Sequence, residues 1–399
     1  MRWVLLVCAA LVMGLSGCGG GGGNPGGGLL PVARGTVNSV STVATLTRDQ
    51  VAAAMGGGAS PTYGITLYKL NYTTIDPSGS ATTASGMLAV PNGAPGALPL
   101  LSYQHGTRVA RSDVPSRLGN DDLLHVGYPL ASGGYIVSMP DYLGLGDSSG
   151  THPYLYAPSE AAASLDMLRA SRSALLTLNV AWSRKLFLSG HSEGGHATMA
   201  LHRAIEQTAS AEFAVTASAP ISGPYDLSGT ELPFLLASPG NVGDSINNSA
   251  LLTYVFLAYN PIYHLFNSLS TVITSPYDTQ IPSLLSNAQS GAPFDPTVLP
   301  RPSVLLQPSF ISGLQSNPSF PTFVALQQNN VFDWKPIAPV RLIYSKGDTV
   351  VSPQNSQVAV DRMTALGASV QLVNLGDSID HLSNRDPGIA AAKAWFDTL

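Results

Sequence analysis

Cysteine is nearly absent from these 399 residues. Only Cys8 and Cys18 occur, which excludes a disulfide framework. Charge is scarce as well. Charged residues make up 11% of the chain, well below the ~25% of an ordinary globular protein. The 19 Lys+Arg and 24 Asp+Glu sum to a formal charge of -5, so there is no basic field to hold nucleic acid. Long apolar runs are confined to two places. Trp3 to Leu15 is shorter than the ~20 residues of a comfortable membrane span, and Ala250 to Phe266 is short and broken by Asn260, Pro261 and His264. Internal repeats and heptads are missing. What is present is 44% hydrophobic residues, enough for a large core, together with 40 Gly and 30 Pro. That composition excludes wholesale disorder and allows one large α/β domain or two smaller ones.

The N-terminus reads as an address. Arg2 supplies a positive start, Trp3 to Leu15 an apolar segment, and Leu15-Ser16-Gly17-Cys18 a small-residue cleavage site. This resembles the lipobox of bacterial lipoproteins. It implies a signal peptide over 1–17 and Cys18 as the lipidated mature N-terminus. Gly19 rather than Asp follows, so the resemblance implies export to the outer membrane. Gly19 to Gly28, broken only by Asn24 and Pro25, buries nothing and makes residues 18–30 a lipidated flexible tether.

Thr47-Arg48-Asp49-Gln50 is a capping box that predicts a short helix through Met55. Strand-like runs Ile65–Ile75 and Thr82–Val90 flank Asp76-Pro77-Ser78-Gly79, a hairpin signal. From Leu98 onward, apolar strands alternate with helices: Leu98–Tyr103, Tyr135–Met139, helix Ser159–Leu178, Lys185–Leu188, helix Glu193–Gln207 and Phe213–Ser218. The alternation resumes with Val340–Tyr344, helix Ser356–Leu366, Ser369–Leu375 and helix Pro387–Asp397. Such a rhythm predicts a mostly parallel sheet covered on both faces. Between the two blocks, Pro224 to Trp334 is a long insertion whose apolar stretch predicts a buried or lid helix. Leu251, Leu252, Val255, Phe256 and Tyr259 recur there at helical spacing, and Phe256 is the position expected to meet an acyl chain.

Chemistry enters at Lys185 to Gly195: a strand, then Gly190-His191-Ser192-Glu193-Gly194, then a helix. Glycines on either side let the backbone turn sharply enough to lift the Ser192 hydroxyl clear of the sheet, and the helix N-terminus favours a developing oxyanion. A serine needs a base held by a third group. His381 is the only histidine after His264 and lies just past a strand. Asp348, in Gly347-Asp348 after an apolar strand, is the preferred acid, with Asp226 after the preceding strand as its rival. Two backbone amides should hold the oxyanion. Glu193 supplies one, and the loop Tyr103-Gln104-His105-Gly106-Thr107 the other, from Thr107 or else Gly106. His191 and His196 read as packing or hydrogen-bonded residues rather than extra catalysts.

These segments, together with Met139-Pro140-Asp141-Tyr142 and Asp380-His381, resemble the α/β-hydrolase superfamily and, more narrowly, bacterial relatives of the secretory lipases. The resemblance implies an eight-stranded, mostly parallel sheet with helices on both faces. It implies a hydrolase core over 31–223 and 335–399 and a helical cap over 224–334. It also implies carboxylic-ester hydrolysis by Ser192, His381 and Asp348 through an acyl-enzyme, on small-molecule or lipid esters, without metal or cofactor. Membrane attachment would come through the lipid on Cys18. An aminopeptidase of the same fold would need a convergent acidic cluster, for which Glu160, Asp166 and Glu193 are the candidates. A noncatalytic surface-binding protein would tolerate a broken triad.

Overall fold

The computed structural model describes residues 33–56, 60–239, 248–291 and 299–399. The signal segment 1–17, Cys18 and the glycine tether lie outside the described residues. No helix among the described residues is long and apolar enough to cross a membrane.

The sheet begins with an antiparallel edge: β1 (Val37–Leu46), then α1 (Arg48–Ala54), β2 (Gly64–Ile75) and β3 (Ala81–Asn92). The capping box forms as the sequence predicts: Gln50 N donates to Thr47 Oγ1, and Thr47 N donates to the Gln50 side chain. Asp76 closes the β2–β3 hairpin by accepting from the Ser78 and Ser80 amides at 2.9 Å, with Gly79 at φ 83°.

Strands β4 (Leu98–Gln104), β5 (Ile136–Pro140), β6 (Trp182–His191), β7 (Val215–Ile221), β8 (Val340–Tyr344) and β9 (Val370–Asn374) complete the sheet in the order β1-β2-β3-β5-β4-β6-β7-β8-β9. Every pairing from β5 to β9 is parallel. The described residues therefore hold nine strands where eight were expected. The additional strand is β1, whose sequence Val-Asn-Ser-Val-Ser-Thr-Val-Ala-Thr-Leu is mostly exposed at the edge and carries no clear apolar face. Two register shifts against β2 interrupt it further, so period-two patterning is lost.

Alternate residues of the central strands feed two cores. Leu101, Phe187 and Ile221 face α2 (Tyr128–Ser132) and, from the chain's end, α12 (Arg385–Phe396) through Phe396. Leu100, Leu186 and Leu188 face α3 (Ala157–Thr177) and α4 (Glu193–Thr208) through Leu168 and Leu201. Each such fully buried side chain is worth ~1.5–3 kcal/mol of transfer free energy. Between β7 and β8 stand α5 (Leu232–Leu236), α6 (Asn248–Tyr263), α7 (Tyr277–Gln289), α8 (Pro302–Leu305), α9 (Pro308–Ser316) and α10 (Pro321–Gln328), and α11 (Gln354–Ala365) follows β8.

The helices of the insertion share a separate apolar core with Tyr154 and Leu155 of the sheet domain. Phe256 sits in that core, 1% exposed and edge-on to Phe310. Leu252, Val255 and Tyr259 are buried with it. The expectation that Phe256 meets an acyl chain is therefore corrected: α6 is apolar nearly all round, and its most hydrophobic side turns to neighbouring helices.

Candidate active site

The end of β6 turns into α4 with almost no room to spare. Ser192 takes φ 62°, ψ -125°, a left-handed conformation rare for a side chain. The glycines around it are required by close backbone approach. A Cβ on Gly194 would lie 1.9 Å from the Gln104 carbonyl oxygen, and one on Gly190 2.3 Å from that of Gly194. A Cβ on Gly195 would meet Gly223 at 2.8 Å. The segment thus wedges between the ends of β4 and β7, with the Ser192 amide bonded to the Ile221 carbonyl at 2.9 Å.

Facing this turn is the loop after β9. Ser192 Oγ donates to His381 Nε2 at 2.8 Å, and His381 Nδ1 donates to Asp348 Oδ2 at 2.7 Å. Asp348 follows β8 on a turn held against the histidine loop: a Cβ on Gly347 would come within 2.7 Å of the Ile379 carbonyl oxygen. Oδ1 of Asp348 accepts from the Val350 and Val351 amides at 3.0 and 2.9 Å. Burial pushes this carboxyl up, but His381 and the two amides outweigh it, so its pKa is lowered.

Asp226, the rival acid, is spent elsewhere. It accepts from Gly229 N at 2.9 Å, Thr230 Oγ1 at 2.9 Å and Asn330 Nδ2 at 3.0 Å, closing the turn that leads into the insertion.

Two neighbours steady the histidine: Asn384, which no sequence motif marks, and His191 of the nucleophile turn itself. Asn384 donates through Nδ2 to Ser222 Oγ and Ser345 Oγ, both at 2.9 Å. His191 Nε2 donates to the His381 carbonyl at 3.0 Å and to Asn384 Oδ1 at 2.8 Å. Burial, then the nearby His381, pulls the His191 pKa down to about 3, which keeps this ring neutral. His196 is bonded to Glu160 Oε2 at 2.6 Å and the Asn329 carbonyl at 2.8 Å, in keeping with a structural residue.

The His105–Thr107 loop lies directly beside the serine. A Cβ on Gly106 would be 3.6 Å from Ser192 Cβ. Glu193 opens α4, where the first amides have no carbonyl partner within the helix. A cavity of about 330 Å³ joins these parts, lined by Gly106, Thr107, Ser192 and His381. Part of the lining is apolar, with Leu251 and Leu285 from the insertion beside Tyr254, and part is charged, with Arg108, Asp121, Asp122 and Arg385. Glu160 and Glu193 do not line it, and Asp166 is engaged by Arg34 and Thr74 at 3.0 and 2.7 Å. None of the three acidic candidates for an aminopeptidase lines the cavity, and the carboxylates that do, Asp121 and Asp122, are paired with Arg385 and Arg108.

A buried carboxyl below the site offers a stability test. Glu231 accepts from Ser352 N at 3.1 Å and Asn355 Nδ2 at 2.6 Å. Burial above all, with Asp348 adding, pushes its pKa up to about 8. A raised carboxyl pKa means that the native state binds the extra proton. Its stabilising contribution is complete below the unfolded value and is lost as pH rises through about 8. Thermal melts of the wild type should lose stability in this window at up to ~1.4 kcal/mol per pH unit. Glu231→Gln should flatten that slope. An unchanged slope in the variant would remove Glu231 as its origin.

The model of the secretory lipase family matches residues 111–292. Among solved structures, a Legionella pneumophila protein is 30% identical, covering 91% of this chain and 97% of its own, with a TM-score of 0.82. The rice cell wall degrading esterase LipA from Xanthomonas oryzae, in a ligand-bound form, is 32% identical over 91% of this chain and 98% of its own, with a TM-score of 0.80. Candida antarctica lipase A in its closed state shares the fold at 18% identity, with 92% and 83% covered and a TM-score of 0.65. No curated protein matches the chain. By a likeness that spans 91% of its length, this chain belongs with the Xanthomonas esterase in one family of ester hydrolases with the α/β-hydrolase fold, and its middle part, residues 111–292, matches the secretory lipase model.

Proposed function

We propose that the chain hydrolyses carboxylic esters with Ser192 as nucleophile, His381 as general base and acid, and Asp348 as the group that orients the imidazole. The relay of 2.8 and 2.7 Å contacts, opening on a cavity, carries this reading. Ser192 Oγ attacks the ester carbonyl as its proton passes to His381 Nε2. The amides of Glu193 and Thr107, with Gly106 as the alternative to the latter, face the developing oxyanion. His381 returns the proton to the departing alcohol. Water, deprotonated by the same nitrogen, then releases the acid from the acyl-enzyme while Asp348 remains ionised. A fluorophosphonate should label Ser192, and a series of p-nitrophenyl esters should be turned over faster than aminoacyl anilides. Preference for the anilides would overturn the ester reading.

The insertion acts as a cap in this reading, supplying the apolar wall for the acyl group. Leu251 and Leu285, rather than Phe256, touch the cavity. Leu251→Trp should fill part of it and lower kcat/KM for octanoate esters about tenfold more than for acetate, the scale of ~1–3 kcal/mol for methylenes in an apolar pocket. Equal losses for both esters would separate Leu251 from acyl binding.

Residues 18–30 complete the proposal as a lipid-anchored tether. Cys18→Ser should abolish metabolic fatty-acid labelling and move the protein out of the detergent phase, with esterase activity retained. A wild type that takes up no fatty acid would refute the anchor.

A further inference from the structure

Both amides assigned to the oxyanion hole lead back to one block of aromatic side chains. The Glu193 side chain is buried, and its Oε1 accepts from His152 Nε2 at 2.7 Å. Its Oε2 has no hydrogen-bond partner among the described residues, so the contact to His152 is what holds this side chain in place. His152 Nδ1 meets the Leu143 carbonyl at 2.9 Å. Both ring nitrogens thus face acceptors, which suits an imidazolium. Burial works against that charge, but Glu193 more than offsets it and the His152 pKa is raised.

The other arm reaches the same ring. Thr107 Oγ1 is 3.0 Å from Tyr154 Oη. Tyr254 Oη donates to the Arg108 carbonyl at 3.2 Å, and Tyr142 Oη to that of His105 at 3.2 Å. Tyr154 and Tyr254 stack with centroids 4.6 Å apart, while Tyr142 stacks on His152 at 5.8 Å and 7°. His152 lies 6.1 and 6.2 Å from Tyr154 and Tyr254. Three residues of the oxyanion loop region, His105, Thr107 and Arg108, on either side of Gly106, and the first residue of α4 are all tied to this cluster.

We infer that His152 and Tyr154 are positioning residues that set the distance between the two oxyanion donors, and that Tyr254 extends this block into the insertion. His152 fixes Glu193 through a buried ion pair, and Tyr154 fixes Thr107 through its hydroxyl. Because the rings pack on one another, the two donors cannot move apart independently. Tyr254 also lines the cavity, so the seating of α6 and the geometry of the oxyanion hole form one unit. The inference rests on the proposed roles of Glu193 and Thr107. It adds that donor placement, beyond the presence of the amides, is set by His152 and Tyr154, which do not line the cavity.

Tyr154→Phe and His152→Gln test it, alongside Ser192→Ala. Removing an oxyanion donor costs ~10²–10³ in kcat. Displacing one should cost about tenfold in Tyr154→Phe and about a hundredfold in His152→Gln, with KM for p-nitrophenyl butyrate within about threefold, on that same scale. Affinity for an alkyl boronic acid, which forms a tetrahedral adduct on the serine, should fall by the same factors, while inhibition by butyrate is unchanged. A fall in kcat without the parallel loss of boronate affinity would overturn the inference, as would wild-type kcat in both variants. Tyr154→Phe deletes one oxygen and keeps the test decisive should His152→Gln fail to fold. Persistent turnover in Ser192→Ala would instead overturn the nucleophile assignment, so the two failures are distinguishable.

Discussion

Ser192→Ala is expected to remove ester hydrolysis by about 10⁴–10⁶-fold, the scale on which deletion of a serine nucleophile acts, and to leave the fold intact. The reason is local. Ser192 Oγ is hydrogen-bonded to His381 Nε2, whereas the backbone of the turn is held by glycine contacts and by the bond from the Ser192 amide to Ile221. Alanine keeps the Cβ and the turn and loses only the hydroxyl. Circular dichroism and the thermal midpoint should match the wild type, and fluorophosphonate labelling should vanish. Turnover retained in a clean preparation would exclude Ser192 as the nucleophile.

Asp348→Asn and Asp226→Asn should part company sharply. An asparagine at 348 carries no charge to stabilise the imidazolium, and its NH2 group can donate to Nδ1 and hold the imidazole in the wrong tautomer. Turnover should fall by about 10⁴-fold at neutral pH. At Asp226 the same change removes charge from a turn whose partners are Gly229, Thr230 and Asn330. Its expected cost is stability, ~0.5–2 kcal/mol as for the loss of a helix-capping side chain, with kcat within a few-fold. A collapse of activity confined to Asp226→Asn, with Asp348→Asn fully active, would reverse the assignment of the acid.

The contrast between these two aspartates shows where the sequence was readable. Both follow strands of the parallel sheet, and both fit a turn. The order serine, acid, histidine and the strand end before Gly347-Asp348 favoured the later one, and the 2.7 Å bond to His381 agrees. The elbow was legible because close backbone approach demands glycine at fixed positions, and those demands stand in the chain as Gly190, Gly194 and Gly195. The edge strand β1 was not legible, since an exposed strand has no face to bury and so no pattern. Phe256 lies in the core of the insertion and does not line the cavity, since helical spacing identifies an apolar helix and leaves open which neighbour each side chain meets.

Strand–helix alternation and the glycine-flanked turn at Ser192 are written in the chain, and chain order points from that turn to His381 and Asp348 as its proposed partners, because periodicity, glycine spacing and chain order are local properties. Tertiary structure alone decided the rest. His152 stands 41 residues from Glu193 and Tyr154 47 from Thr107. Asn384 reaches Ser222 across 162. Those contacts exist because the loops after β4 and β5, the start of α4 and helix α6 meet at the carboxyl ends of the parallel strands. No periodicity within any one segment encodes which side chains of another will meet it there.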